Sequence, residues 1–204
     1  MSLNPLQFPT LTTYLAGLPE GLSSHPAAQV KGSIVRDAKI PKSLAAAAGL
    51  PPKLCELVAS PPPASVWLSE VHYQALLHAL YDQFYGESRL TEFTEWAISA
   101  NRMLLSSPLY RIAFRLVSPV GLTRSLQARW ELLRRGSELK IECMDNTSCV
   151  LRLKHPLGLY SDLHRHLRAI AIRVALEFAG AKGVTAEISD VTLVSWQVSC
   201  RWGL

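Results

Sequence analysis

Four stretches in the last third of this chain alternate apolar and polar residues: Ser137–Asp145, Ser148–Lys154, Gly183–Asp190 and Leu193–Trp202. A period of two sends successive side chains to opposite faces, so each stretch reads as a strand with one buried face. Between the two pairs lies one long helical segment, Ser161–Gly180, apolar over a wide arc that includes Leu163, Leu167, Ile170, Val174 and Phe178. The order strand-strand-helix-strand-strand predicts a four-stranded antiparallel sheet covered by one helix. In the first hairpin Leu139, Ile141 and Cys143 share a face and meet Cys149, Leu151 and Leu153 across the Asp145-Asn146-Thr147 turn. The last strand sets Val194, Trp196, Val198, Cys200 and Trp202 against Ser195, Gln197, Ser199 and Arg201.

What precedes the sheet is helical, which makes the fold class α+β. Ten of the thirteen prolines fall in residues 1–63. Proline removes a backbone donor and pushes its predecessor toward extended geometry, so helices here must be short. Leu11–Leu18, Gln29–Asp37 and Lys42–Ala48 are the candidates, the last stopped by Gly49. Residues 1–64 read as a proline-rich arm of short helices that docks through Leu15, Leu18, Leu22, Ile34, Val35 and Leu44. Residues 65–135 carry the longer helices: Ser69–Tyr85, a helix capped by Thr91 and running to Leu105, Pro108–Leu116, and Pro119–Arg134 closed by Gly136. In the last of these Glu131 and Arg135 stand at i,i+4 and can pair. Together with residues 136–204 these parts are expected to form a single domain spanning 1–204.

Composition narrows the class further. The chain has 204 residues, 49% of them hydrophobic and 18% charged, which supports a folded core and not global disorder. No run approaches the ~20 apolar residues of a membrane span. The first twenty residues have three prolines and no Lys or Arg, unlike a secretory signal. Cys55, Cys143, Cys149 and Cys200 are far apart with no C-x-x-C spacing, and the last three fall on strands, where a buried thiol acts as a small hydrophobe. These features point to a cytoplasmic protein with neither a zinc site nor a disulfide framework. The net charge of +5 divides unevenly: residues 1–100 hold six basic and eight acidic side chains, residues 101–204 fifteen and eight. The excess concentrates in Arg102, Arg111, Arg115, Arg124, Arg129, Arg134 and Arg135. Such arginines most simply snorkel or pair on solvated helix faces. The stretch has no helix-turn-helix, zinc-finger or RNA-binding signature, which argues against nucleic acid as a partner.

No constellation of catalytic type stands out. His72 and His78 are six apart on one helix, where two imidazoles turned toward one metal ion require four. His78 and Asp82 at i,i+4 can pair as an ordinary surface or interface contact. His164 and His166 diverge on their helix and read as its wet face. There is no G-x-S-x-G, no Walker loop and no G-x-G-x-x-G. Tyr85-Gly86-Glu87-Ser88-Arg89 resembles the Tyr-x-Ser-x-Arg that holds haem propionates in gas sensors, with the serine one place late. Five tryptophans are many for this length. Most belong in the core, but Trp130, Trp196 and Trp202 can line an apolar cavity, with Arg111, Arg129 or His155 as its polar anchor. These six are the candidate ligand-binding residues, and no metal or cofactor is expected.

Several segments resemble a family. Leu18-Pro19-Glu20-Gly21-Leu22, Leu50-Pro51-Pro52, Pro61 to Trp67 before Glu70-Val71-His72, Asn101-Arg102, Ser107-Pro108-Leu109-Tyr110-Arg111, Ser118-Pro119, Arg129-Trp130, Arg135-Gly136, Ala179-Gly180-Ala181 and Trp202 occur in a familiar order. The set resembles a paralogous family of unknown function and similar length found in myxobacteria, over nearly the whole chain. That resemblance implies a bacterial protein and brings no catalytic residues. The last third is also distantly similar to vinyl-reductase-type and haem-nitric-oxide-associated small-ligand domains, which implies a sensor or carrier module able to form a homodimer. The expected function is therefore a small-molecule-binding or sensory protein whose ligand is hydrophobic or anionic. One alternative is a metal-independent biosynthetic enzyme of cyclase or isomerase type, with Glu70 and His72, or Asp162 and His155, as its acid-base pair. A further alternative is a protein-interaction adaptor.

Overall fold

The structure, a computed structural model, describes residues 3–106 and 117–203. The predicted helix Pro108–Leu116, with Arg111, lies outside the described residues. The chain divides into two compact units: Met1–Phe93 with Leu133–Gly136 and Pro156–Ser161, and Thr94–Leu132 with Ser137–His155 and Asp162–Leu204.

The first unit is built around a helix that the sequence places well. Helix α4 (Glu70–Phe84) follows α1 (Pro9–Ala16), α2 (Gly32–Asp37) and α3 (Pro52–Ala59). Ser69 caps α4 by accepting the His72 N–H at 3.3 Å, and Glu70 sits in the first turn, where the helix dipole favours a carboxylate. Every residue from Tyr73 to Tyr81 is buried, so α4 is the core helix of this unit. Proline at the first turn starts both α1 and α3, where its missing N–H costs no bond. A helix over Gln29–Asp37 is not what forms. Gln29–Lys31 is strand β1, and only Gly32–Asp37 is helical. Val30 is drawn into extended geometry by partners remote in sequence: β2 (Trp67–Ser69) on one side and β3 (Arg134–Arg135) on the other. Pairing of this kind outweighs a short helical preference. Gly136, with φ +71°, follows that sheet and not a helix end. A Cβ there would stand 2.7 Å from the Ala27 carbonyl oxygen, so the position requires glycine.

The second unit contains α5 (Leu90–Ser106) from Thr94 onward and α6 (Pro119–Leu133) up to Leu132. It also holds β4 (Glu138–Met144), β5 (Ser148–Lys154), α7 (Asp162–Phe178), β6 (Lys182–Ser189) and β7 (Ser195–Gly203). The four strands form one antiparallel sheet in the order β4-β5-β7-β6, as the alternation predicts. Its buried face carries Leu139, Cys149, Leu151, Leu153, Trp196, Val198, Cys200 and Trp202. Helix α7 packs against β6 and buries Leu167, Ile170 and Val174. Cys143 departs from expectation. The register shifts between Ile141 and Cys143, and the extra residue turns Cys143 out to an exposed position instead of into the core. His164 is buried at 1% exposure and His166 is half-buried with Nε2 3.0 Å from Thr94 Oγ1, so this side of α7 is not a wet face. No helix among the described residues is long and apolar enough to cross a membrane.

Candidate functional site

The sheet register decides which of the expected ligand residues can act together. Leu139 pairs with Leu153, and Leu153 with Trp196, which makes one row across the buried face. His155 follows β5 at the same end, is itself buried, and extends the ladder by donating its N–H to the Val194 carbonyl at 2.8 Å. Trp130 reaches that end from α6: its indole N–H donates to Ser137 Oγ at 3.2 Å, just ahead of β4. Trp130, His155 and Trp196 therefore gather at one end of the sheet. Arg129, next to Trp130 in sequence, is half-buried, its Nε donating to Ser125 Oγ at 2.9 Å along α6. Trp202 lies on the same face as Trp196 but six residues away, about 20 Å along an extended strand. One small ligand cannot touch both indoles. Both have a further property in common: their N–H groups are buried with no acceptor among the described residues. An indole N–H held from water without an acceptor is costly, so each is an unspent donor at an apolar surface.

Between these ends the sheet brings Cys149 and Cys200 directly opposite each other. The hydrogen bond with Cys200 holds the Cys149 thiol pKa below its ordinary value despite burial, while the same bond and burial raise that of Cys200.

The first unit holds a polar chain that sequence spacing only half reveals. Thr10 Oγ1 donates to Asp82 Oδ1 at 2.8 Å and stands 2.9 Å from His78 Nδ1. A hydroxyl has one proton to give, so with it on Asp82 the His78 Nδ1–H must donate to Thr10. Nε2 is then free to accept from the Ser161 hydroxyl at 3.0 Å. Burial pushes the His78 pKa down to about 4, so the ring is neutral. Tyr14 stacks on it with centroids 4.9 Å apart, and its O–H donates to the Leu159 carbonyl at 3.1 Å. Asp82 also accepts the backbone N–H groups of Thr10 at 3.3 Å and Leu11 at 3.0 Å, capping α1 from another helix. Burial raises its carboxyl pKa against these bonds. The i,i+4 spacing of His78 and Asp82 is visible in the sequence. Thr10 and Ser161, which make it an interior relay and not a surface pair, are not.

Arg134 likewise is not a solvated helix arginine. It lies on β3, 5% exposed, with Nη1 at 2.5 and 2.6 Å from the two carboxylate oxygens of Glu70, itself 1% exposed. Gln74 Nε2 donates to the same carboxylate. Glu70 is thereby engaged with Arg134 and Gln74, while burial pushes the His72 pKa down. Asp162 is almost fully exposed and pairs with Arg165. Neither forms the acid-base pair that a metal-independent reaction was expected to use.

No family model and no curated protein matches the chain. Solved structures do. An Fe(II) unliganded H-NOX protein from K. algicida superposes with a TM-score of 0.55 at 10% identity, over 85% of this chain and 97% of that one. An oxygen-binding H-NOX domain related to soluble guanylate cyclases gives 0.54 at 8% identity, covering 85% and 93%. A variant of T. Tengcongensis H-NOX gives 0.52 at 9% identity, covering 97% and 98%. The fold is H-NOX-like. At such identities the likeness concerns the path of the chain and not its chemistry.

For a haem, the group named for H-NOX proteins, the segment Tyr85–Arg89 lacks the Tyr-x-Ser-x-Arg register, because its serine stands one place late. In the same segment the guanidinium of Arg89 is bound to Glu92 and to the Phe84 carbonyl at 2.9 Å. Of the histidines, His78 is engaged at both ring nitrogens, while His25 and His166 are each engaged at Nε2, on the Leu157 carbonyl and on Thr94. His155 and His164 are buried.

Proposed function

We propose that the chain is a small-ligand-binding or sensory module that uses an H-NOX-like fold for an organic ligand in place of haem. The observation that carries this reading is the fold likeness itself, which runs over 85–97% of the chain. The displaced serine of Tyr85–Arg89 and the doubly bonded His78 favour a ligand other than haem. Its chemistry follows from the sheet end where Trp130, His155 and Trp196 gather. The surroundings are apolar, and the Trp196 N–H lacks an acceptor among the described residues. A ligand with an apolar body and a carboxylate or carbonyl oxygen would supply the missing acceptor.

A thermal-shift screen of fatty acids and isoprenoid acids tests the reading. A ligand at a hundred times its Kd stabilises the folded chain by about 2.7 kcal/mol. Trp196→Phe keeps the ring and removes the N–H, so it should weaken an acid more than the matching hydrocarbon. Added haemin should give no spectrum distinct from free haemin. A screen without a stabilising acid, or a haemin titration that yields a saturable one-to-one complex, would refute the reading.

A further inference from the structure

The three-stranded sheet of the first unit has two unlike faces. Register pairs Lys31 with Trp67, and Gln29 with both Ser69 and Arg135. With a period of two, Gln29, Lys31, Trp67, Ser69 and Arg135 share one face, and Val30, Leu68 and Arg134 the other. The second face is the inner one: Val30 is fully buried and Arg134 is closed on Glu70. On the outer face Lys31 Nζ lies 4.3 Å from the centroid of the Trp67 ring, and Arg135 Cζ lies 4.0 Å from it. Neither cation has a carboxylate partner among the described residues. The contrast with Arg134, one residue away, is informative. The same strand sends one arginine inward to an acid and the next outward to a ring and a second positive charge.

Two cations gathered on one indole repel each other, and only the ring's attraction for each offsets this. An anion would relieve the repulsion. The ring also holds two long side chains in place in advance, which lowers the ordering cost of recognition. Val66, beside Trp67 and 41% exposed, adds an apolar margin. We propose that this outer face of β1, β2 and β3 docks an acidic peptide segment of a partner protein, with Lys31 and Arg135 engaging its carboxylates and Trp67 organising both cations. Two features favour a peptide over the other polyanions. Single-stranded nucleic acid needs an open aromatic face on which a base can stack, and this ring is already stacked by cations. An anionic membrane is read by clusters of about four to eight basic residues, and this face offers two.

The test is fluorescence-anisotropy titration of the full chain with a labelled glutamate-rich peptide, run beside the glutamine version, a single-stranded oligothymidylate and phosphatidylserine vesicles. The glutamate peptide should bind, and binding should weaken as salt rises. The double variant Lys31→Gln/Arg135→Gln should bind about tenfold more weakly. A control removing two other exposed cations, Arg124→Gln/Lys182→Gln, should change binding less than about twofold. Arg135→Gln alone, at an exposed position, provides a milder variant if the double one melts early. Trp67→Leu, with both charges kept, should weaken binding by separating them. The proposal is overturned if the peptide does not bind, if both double variants lose equally, or if oligothymidylate or vesicles bind better through the same two residues.

Discussion

Replacing Arg134 by Met tests how the first unit is held together. Methionine keeps most of the apolar stem but removes the guanidinium, which strands the Glu70 carboxylate at 1% exposure. Losing one partner of a buried ion pair costs about 3–5 kcal/mol, because the survivor keeps its desolvation penalty without compensation. Coulomb attraction between charges about 4 Å apart at an effective dielectric near 20 gives about 4 kcal/mol, so the two routes agree. Gln74 still donates to Glu70, which moves the expectation to the low end, about 3 kcal/mol. Urea unfolding followed by circular dichroism should show a midpoint lower by roughly 1–2 M. The decisive comparison is the double variant Glu70→Gln/Arg134→Met. It leaves no charge inside and should recover at least about 1.5 kcal/mol relative to the sum of the single losses. An Arg134→Met loss under about 1 kcal/mol, or strictly additive singles, would show that the pair does not couple as its geometry indicates.

Two further predictions follow from the interior of each unit. The folded pKa of His78, about 4, lies below its ordinary 6.5. The unfolded chain therefore takes the proton first, and stability should fall as pH drops from about 6.5 and level off below about 4, by up to about 3 kcal/mol. Asp82, whose carboxyl pKa is raised, acts in the opposite sense, so the readout is the difference between the native and His78→Gln stability curves. An identical acid limb in the two proteins would contradict the neutral, buried imidazole. For the thiols, a maleimide pulse on the native protein should label exposed Cys143 first and leave Cys149 and Cys200 unlabelled until the chain unfolds. Peptide mapping that finds Cys149 labelled early would mean that the face between β5 and β7 opens readily.

Legibility was greatest where burial on one face writes its own period. The alternation in β5 and β7 is clean because each has its apolar side against the core, so strand limits came out within a residue or two. Even there a single bulge moved Cys143 to the surface, since nothing local to the hairpin marks the extra residue. Short elements were harder. Gln29–Lys31 has only three residues, and its extended form depends on β2 and β3, far along the chain. The apparent arginine stripe mixed unlike members for the same reason: Arg134 belongs to a buried ion pair, Arg135 to an indole, and Arg129 to a serine on its own helix. The helical i,i+4 spacing expected of Glu131 and Arg135 is not present, because the helix ends at Leu133 and Arg135 is on a strand. The tryptophans were recognisable as large apolar groups with one donor, but only strand register separates Trp196 from Trp202.

Taken alone, the amino-acid sequence determined the class of the fold and the ββαββ order of its last third, because periodicity is a local property that burial imposes on neighbouring residues. Partnerships were decided by tertiary structure. Which hydroxyl His78 meets, which acid Arg134 meets and which indole shares an end with His155 depend on contacts across tens of residues. A chain's local pattern reports that a side chain is buried or exposed. It does not encode, in any window short enough to read, what lies on the other side.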